Sequence, residues 1–344
     1  MTGTTSAATV RIGFQGIHGA FSDGAAKKLY SLFVAGPLPS VPLFSSKNCK
    51  VETVPFATLD ALVHAVQNGQ VDHIILPLEN ILTGTLTAHM DLLMRSRPQL
   101  HITGELVNEE KYCLLAPKGS KLEDITEVWS HPDVLAQCER FVDTLPAAVA
   151  AATKSKGGVG TKSGVLSVHG NSTASCAQDV ALGGHLNRAA IASKETAALF
   201  DLSVLVDDIA HPEAAPHNLT RYVIVSRSPI VPERHLLPKT SLAVVVQNRT
   251  GTLFKTMGCF AMRDINVCKI DARPSARSAN PARMGSPWEY TILVDIDGSS
   301  ADDNVRRALE HLREFAREVH VLGSYPRYTS VYSSSTDSRF GIGG

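Results

Sequence analysis

An α/β domain followed by a smaller module of βαββαβ order is the fold class predicted for this chain of 344 residues. Three observations carry the prediction. Between Val10 and Val225, short apolar runs of strand length alternate with segments whose apolar residues recur at helical spacing. Pro229, Pro232 and Pro238 then mark a linker. Beyond it the patterns run strand, helix, strand, strand, helix, strand, a ferredoxin-like order. With ~100 to 200 residues per domain as the ordinary range, the length suits a first domain over 9–228, a linker over 229–239 and a second domain over 240–328.

Taken in order, Val10 to Phe14 reads as the first strand, and Gly13, Gly16 and Gly19 punctuate the turn into a helix over Ser22 to Tyr30. Leu59, Leu62, Val63 and Val66 recur at helical spacing after Thr58, Gly69 stops that helix, and Ile74 to Leu76 is a short buried strand. Alternation continues through Tyr112 to Ala116, one helix over His131 to Val142, Ala174 to Leu182, Ala189 to Ala192, Lys194 to Phe200, Val204 to Val206 and Tyr222 to Val225. Three stretches interrupt it, Ser31 to Lys50, Pro146 to Asn171 and Ser275 to Ser286, and read as partly mobile surface insertions. In the second domain the strands are Ser241 to Gln247, Ile265 to Asp271, Glu289 to Asp295 and Val319 to Leu322, and the helices Gly251 to Arg263 and Asp302 to Arg317.

Composition narrows the function. Lys plus Arg and Asp plus Glu number 33 each, so no net field draws the chain to nucleic acid or to an anionic membrane. The N-terminal residues lack a basic start followed by a long apolar run, and no stretch approaches the ~18 apolar residues of a spanning helix, so a cytoplasmic location is expected. Six scattered cysteines (Cys49, Cys113, Cys138, Cys176, Cys259 and Cys268) and 13 histidines form no metal-ligand spacing; no metal is expected, and most of the cysteines read as buried, reduced and structural.

Four constellations set hydroxyl or amide side chains at strand ends or helix starts, where α/β sheets bind ligands and helix N–H groups attract anions. The first is Leu76-Pro77-Leu78-Glu79-Asn80 with Thr83-Gly84-Thr85, which a turn and a helix cap would also explain. In Ser130-His131-Pro132-Asp133, Pro132 suits the first helical position and Ser130 or His131 the cap, with Gln137 and Cys138 further along. Asn171-Ser172-Thr173-Ala174 is another hydroxyl-rich cap, and Asn218-Leu219-Thr220-Arg221-Tyr222 leads into an apolar strand. Each alone has a plain structural explanation.

Together and in this order, the segments resemble the prephenate dehydratase family over nearly the whole chain. Gly16-Ile17-His18-Gly19-Ala20-Phe21-Ser22 resembles the family's opening glycine loop, and Pro77-Leu78-Glu79-Asn80 its Pro-Ile-Glu-Asn motif. Ser130-His131-Pro132 with Ala136-Gln137-Cys138, then Ser172-Thr173-Ala174, then Thr220-Arg221-Tyr222 follow in family order. The resemblance implies a bilobal fold similar to periplasmic binding proteins, with the active site between the lobes, and a reaction without cofactor: prephenate loses its ring carboxylate as carbon dioxide and its hydroxyl as water, leaving phenylpyruvate. It also implies that Thr220 assists departure of the hydroxyl and that Asn80 and Gln137 orient the substrate. Ser130, Ser172 and Thr173 would meet the substrate carboxylates, with Ala20 and Phe21 of the glycine loop also at the substrate. Arg221 would be a structural or electrostatic aid, and Glu79 an acid, an orienter or structural. Ile81 stands where the family usually has Ser.

The segment from Lys239 to Pro326 resembles the ACT domain carried by this family, which implies a dimer at least and a phenylalanine pocket at the interface of two such domains. The pocket would fall to Asn248, Gly251, Thr252 and Leu253 and to Asp271, Arg273 and Pro274. Thr250 replaces a proline, Asp271 a glutamate and Ala272 a serine, so the alternative is a dimerisation module that no longer senses. Arogenate dehydratase and a non-catalytic aromatic-metabolite sensor are the competing functions. A nucleotide-binding dehydrogenase ranks last, since Gly13, Gly16 and Gly19 do not fit Gly-x-Gly-x-x-Gly.

Overall fold

The computed structural model describes residues 9–34, 50–145, 159–160, 164–210, 217–274 and 289–328. The chain begins with β1 (Thr9–Gln15), α1 (Phe21–Val34), β2 (Lys50–Phe56), α2 (Leu59–Gln67), β3 (His73–Asn80), β4 (Gly84–Thr85), α3 (Thr87–Arg95) and β5 (His101–Glu109). β1 pairs in parallel with β2 and β3. Thr58 caps α2, its hydroxyl accepting the Ala61 N–H at 3.2 Å, and Leu62, Val63, Ala65 and Val66 form the buried stripe of that helix.

A second mixed sheet follows, with strand order β11-β6-β10-β7-β9-β8. Its elements are β6 (Cys113–Ala116), β7 (Glu127–Ser130), α4 (Pro132–Gln137), α5 (Glu139–Thr144), β8 (Val159–Gly160), β9 (Leu166–His169), α6 (Thr173–Gly183), β10 (Arg188–Ala192), α7 (Lys194–Leu199) and β11 (Ser203–Val206). The chain then returns to the first sheet as β12 (Leu219–Ser226), giving the order β2-β1-β3-β12-β5. Seven of the eight β12 residues, Thr220 to Ser226, are buried, which the β-branched run Val223-Ile224-Val225 suits.

The third sheet is antiparallel, in the order β14-β15-β13-β16, from β13 (Lys239–Val246), α8 (Thr252–Ala261), β14 (Val267–Pro274), β15 (Tyr290–Asp297), α9 (Asp303–Phe315) and β16 (Glu318–Tyr325). Val305, Ala308, Leu309 and Leu312 of α9 recur at i, i+3, i+4 and i+7, and they pack with Phe260 of α8 onto Val244, Ile292 and Val294. Two mixed α/β sheets with a βαββαβ module at the C-terminal end are the fold class expected. Among the described residues, one compact unit holds 9–34, 50–92, 108–145, 159–160, 164–210 and 217–222, and the other holds 93–107, 223–274 and 289–328.

Strands β2, β5, β7, β8 and β9 depart from the sequence expectation. β2 and β5 lie at the two edges of the first sheet, where Pro55 costs no ladder bond and where Gly104 and Glu105 break the apolar pattern of a strand. β7 is only four residues long. β9 and β8 lie within 146–171, which the sequence suggests is an insertion, and β9 pairs in parallel with β7 from Glu127↔Leu166 to Ser130↔His169. At the first insertion α1 continues to Val34 and β2 begins at Lys50. Residues 35–49, 146–158 and 161–163 of these two stretches, and Ser275 to Ser286, lie outside the described residues. The single helix expected over His131 to Val142 is two, broken at Cys138, whose φ of −105° and ψ of 6° leave the helical region. Cys113, Cys138, Cys176 and Cys259 are buried free thiols and Cys268 is exposed; Cys49 lies outside the described residues.

Candidate active site

The polar groups converge where β3 ends and its neighbour β12 begins. Asn80, the last residue of β3, accepts the N–H groups of Leu82 (2.8 Å) and Thr83 (3.1 Å) on Oδ1, an Asx turn that fixes the bend after the strand. Its Nδ2 donates to Oδ1 of Asn218 at 2.7 Å and to Oγ1 of Thr220 at 2.9 Å. The carboxamide of Asn80 is thereby fully engaged within the protein, and Thr220 is one of its partners. Asn218 donates onward to Oε1 of Gln137 on α4 at 3.4 Å. Thr220, Asn80 and Gln137 are thus joined in one network, with Asn218 as the bridge between the two mixed sheets.

Glu110 closes the network on another side. Its N–H donates to the Asn218 carbonyl at 2.8 Å, which sets the residue after β5 beside β12. Its buried carboxyl receives the Tyr222 hydroxyl at 2.6 Å and meets the Tyr112 hydroxyl at 3.5 Å, with Thr220 as a third neighbouring hydroxyl. Burial pushes this carboxyl above the usual carboxylate range, against the opposing pull of the three hydroxyls. Burial, and after it the charge of Glu110, push the Tyr222 and Tyr112 phenols upward.

The glycine loop reaches the same cluster. Gly19 sits at φ +89°, a conformation open to glycine, and its carbonyl accepts the Thr196 hydroxyl at 2.7 Å. Its N–H donates to Asp23 at 2.9 Å. Ala20 is buried, and the Phe21 ring meets Tyr112 edge-on at 5.4 Å.

On the second sheet the hydroxyls expected to face carboxylates have varied surroundings. Ser130 is fully buried and donates to the Ile191 carbonyl at 2.8 Å, tying β7 to β10. The cap of α4 is His131, whose Nδ1 accepts the Asp133 N–H at 3.3 Å, with Pro132 in the first turn. Ser172 caps α6, accepting the Ser175 N–H at 3.1 Å, and Thr173 is the first residue of that helix.

A family model described as prephenate dehydratase matches residues 12–230. The chain belongs to the prephenate dehydratase family. It is 35% identical over 323 residues to arogenate dehydratase/prephenate dehydratase 2, chloroplastic, of Arabidopsis thaliana, covering 94% of this chain and 74% of the relative. Among solved structures, a prephenate dehydratase from Arthrobacter aurescens in complex with L-Phe aligns with a TM-score of 0.71 and 26% identity, covering 92% of this chain and 90% of that one. GqqA, described as a novel type of quorum quenching acylase, aligns with the same score and identity over 92% and 98%. The activity is therefore prephenate or arogenate dehydratase activity in phenylalanine biosynthesis, that of a carbon–oxygen lyase.

Two residues of the family motifs are not brought to Thr220. Alternation along β3 and β12 turns Glu79 and Arg221 to the faces opposite Asn80 and Thr220. There the Arg221 guanidinium donates to Glu79 at 2.8 Å, with side-chain exposures of 9% and 29%. Arg221→Ala removes a buried guanidinium from β12 together with this bond, so it is expected to destabilise the fold by about 1 to 3 kcal/mol. Urea unfolding of variant and wild type measures it; a loss within error would mean that the Arg221 bond to Glu79 contributes nothing net to stability.

In the C-terminal module Asn248 lies in the loop after β13, and Gly251, at φ +78°, occupies the N-cap position of α8 ahead of Thr252 and Leu253. Asp271 and Arg273 share one face of β14, the outer strand of the sheet, and Ile270, Ala272 and Pro274 the other. Leu253, Phe254 and Ile270 are large apolar side chains left exposed.

Sequence reasoning missed Glu110 and Tyr112, and gave Asn218 and Tyr222 no role although both stand in the fourth constellation. Glu109-Glu110-Lys111 reads as a solvated charge run. The available signal was spacing: Glu110 and Tyr112, like Thr220 and Tyr222, stand two apart in extended backbone and so share a side.

Proposed function

We propose that the chain converts prephenate to phenylpyruvate, with Thr220 as the group that hydrogen-bonds the departing hydroxyl. The observation that carries this reading is the buried Thr220 hydroxyl, held by Asn80 at 2.9 Å in a network that spans both mixed sheets. In the elimination the bond from ring to carboxylate breaks as carbon dioxide leaves. Its electron pair shifts through the ring to complete the aromatic system, and the C–O pair departs with the hydroxyl, which takes up a proton to become water. Aromatisation supplies driving force, so the protein's task is to fix the ring and stabilise the leaving oxygen. A threonine hydroxyl is too weak an acid for full proton transfer, and a hydrogen bond in the transition state is its role. Gln137 and the capped start of α6, with Ser172 and Thr173, are the groups proposed to orient the substrate and its carboxylates. Arogenate is the second candidate substrate, because the Arabidopsis relative is named for both activities.

The same reading takes phenylalanine as effector of the ACT module and a homo-oligomer through that module as the assembly. The Arthrobacter relative was solved with L-Phe bound, and this chain exposes Leu253, Phe254 and Ile270 on the module. Turnover of prephenate and of arogenate by the purified chain, each with and without phenylalanine, tests both parts. The expected result is phenylpyruvate from prephenate with phenylalanine shifting the apparent affinity by about 5- to 150-fold, the ordinary range of allosteric coupling. Preference for arogenate would move the substrate, and indifference to phenylalanine would leave the module as a dimerisation element.

A further inference from the structure

The glycine loop is fastened at a residue that could otherwise turn freely. Glycine has the widest choice of backbone conformations, so the one Gly19 holds, at φ +89°, is selected by its bonds. Its N–H donates to Asp23 in the first turn of α1 at 2.9 Å. Its carbonyl accepts the Thr196 hydroxyl at 2.7 Å, from α7, 177 positions away in the chain. At the head of the loop the Gly16 N–H donates to the Phe56 carbonyl of β2 at 2.9 Å. The loop is thus tied to the first sheet at Gly16 and, at Gly19, to the helix that follows β10 of the second.

Thr196 is built for that bond. It is fully buried. A threonine hydroxyl has one proton and a carbonyl can only accept, so the 2.7 Å bond commits the proton to Gly19. Ser193, which caps α7 and accepts the Thr196 N–H at 3.2 Å, is therefore the donor in its 2.9 Å contact with Thr196 Oγ1. Ser193 itself lies 3.5 Å from the Gly19 carbonyl, so the two hydroxyls form a relay that ends there through Thr196. The backbones also come close: a Cβ on Gly19 would stand 3.1 Å from Leu199 Cδ2 and 3.4 Å from Thr196 Oγ1.

Two residues past Gly19, the Phe21 ring packs edge-on against Tyr112 at 5.4 Å, and the Tyr112 hydroxyl meets Glu110 at 3.5 Å. Tyr222 donates to the same carboxyl at 2.6 Å, two residues along β12 from Thr220. What holds Gly19 therefore holds one wall of the cluster around Thr220.

We infer that Thr196 is a positioning residue for substrate binding, its hydroxyl bond to the Gly19 carbonyl keeping the glycine loop in place against the site around Thr220. The inference rests on the reading of Thr220 given above. Thr196 acts through the loop and not on the reacting atoms. Its loss should lower the fraction of free enzyme in which the site is assembled, and substrate that binds this fraction restores it. The cost then falls on KM and spares kcat.

Steady-state turnover of prephenate and of arogenate by wild type, T196V and T196S, beside urea unfolding of each, tests this. Thr196→Val keeps the shape and removes the hydroxyl. Its KM should rise about 2- to 12-fold, the weight of one neutral hydrogen bond in an equilibrium, with kcat within about twofold of wild type. Thr196→Ser keeps the hydroxyl and should restore KM. If T196V does not fold, G19A carries the test from the loop side, where strain at φ +89° and the crowded Cβ should raise KM in the same way. An unchanged KM in folded T196V, or in G19A where that variant decides, would overturn the inference. So would a loss confined to kcat, or a T196S as impaired as T196V, since packing of the methyl would then be the whole role of Thr196. Absence of turnover of both substrates by the wild type would fail the reading of Thr220, and the inference with it; turnover with a KM indifferent to Thr196 would fail the inference alone.

Discussion

Replacing Thr220 by alanine is expected to lower kcat by ~10²- to 10⁴-fold, the usual worth of a positioned proton-donating group. The loss should appear equally in kcat/KM, because the bond to the leaving oxygen strengthens only as the C–O bond breaks. Deletion also leaves an Asn80 proton short of its buried partner, at a cost of about 1 to 3 kcal/mol in stability. Folding and catalysis are therefore separated by measuring circular dichroism and urea unfolding beside steady-state kinetics. Thr220→Ser, which keeps the hydroxyl, should recover much of the rate. Turnover of the folded alanine variant at the wild-type level would remove Thr220 from the mechanism.

What the sequence revealed and what it hid follow from the range of the interactions. The central strand β12 was legible because Val223-Ile224-Val225 is apolar on both faces, and the C-terminal module because α9 repeats its buried residues at helical spacing. Edge strands β2 and β5 were not, since an edge tolerates the proline, glycine and charge that erase a strand pattern. Within the site, Asn80 and Thr220 were legible as motif residues, but their 2.9 Å bond joins positions 140 apart in the chain. Glu110 shows the limit most sharply. In sequence it sits in a charge run, and only the approach of β12 turns it into a buried acid bonded by the hydroxyls of Tyr112 and Tyr222. Glu79 shows the converse: adjacent to Asn80 in the motif, it is turned by the pleat to the other face, where it meets Arg221.

Asn80→Asp should rival the loss at Thr220, about 10²-fold in kcat, although it changes one atom. Aspartate can still accept the N–H groups of Leu82 and Thr83, so the bend after β3 should persist. What it loses is donation. Nδ2 now feeds Oγ1 of Thr220 and Oδ1 of Asn218; a carboxylate oxygen there would instead draw the Thr220 proton toward itself and face the Asn218 oxygen as acceptor against acceptor. Thr220 would keep its hydroxyl but present a lone pair to the leaving group. If the two residues act as one device, adding Asn80→Asp to Thr220→Ala should cost little beyond Thr220→Ala alone, since a proton already absent cannot be misdirected. The comparison is a double-mutant cycle in kcat, with unfolding measured on each variant. Losses that multiply would sink the idea that Asn80 works through Thr220, and would assign it a separate contact with the substrate despite its occupied carboxamide.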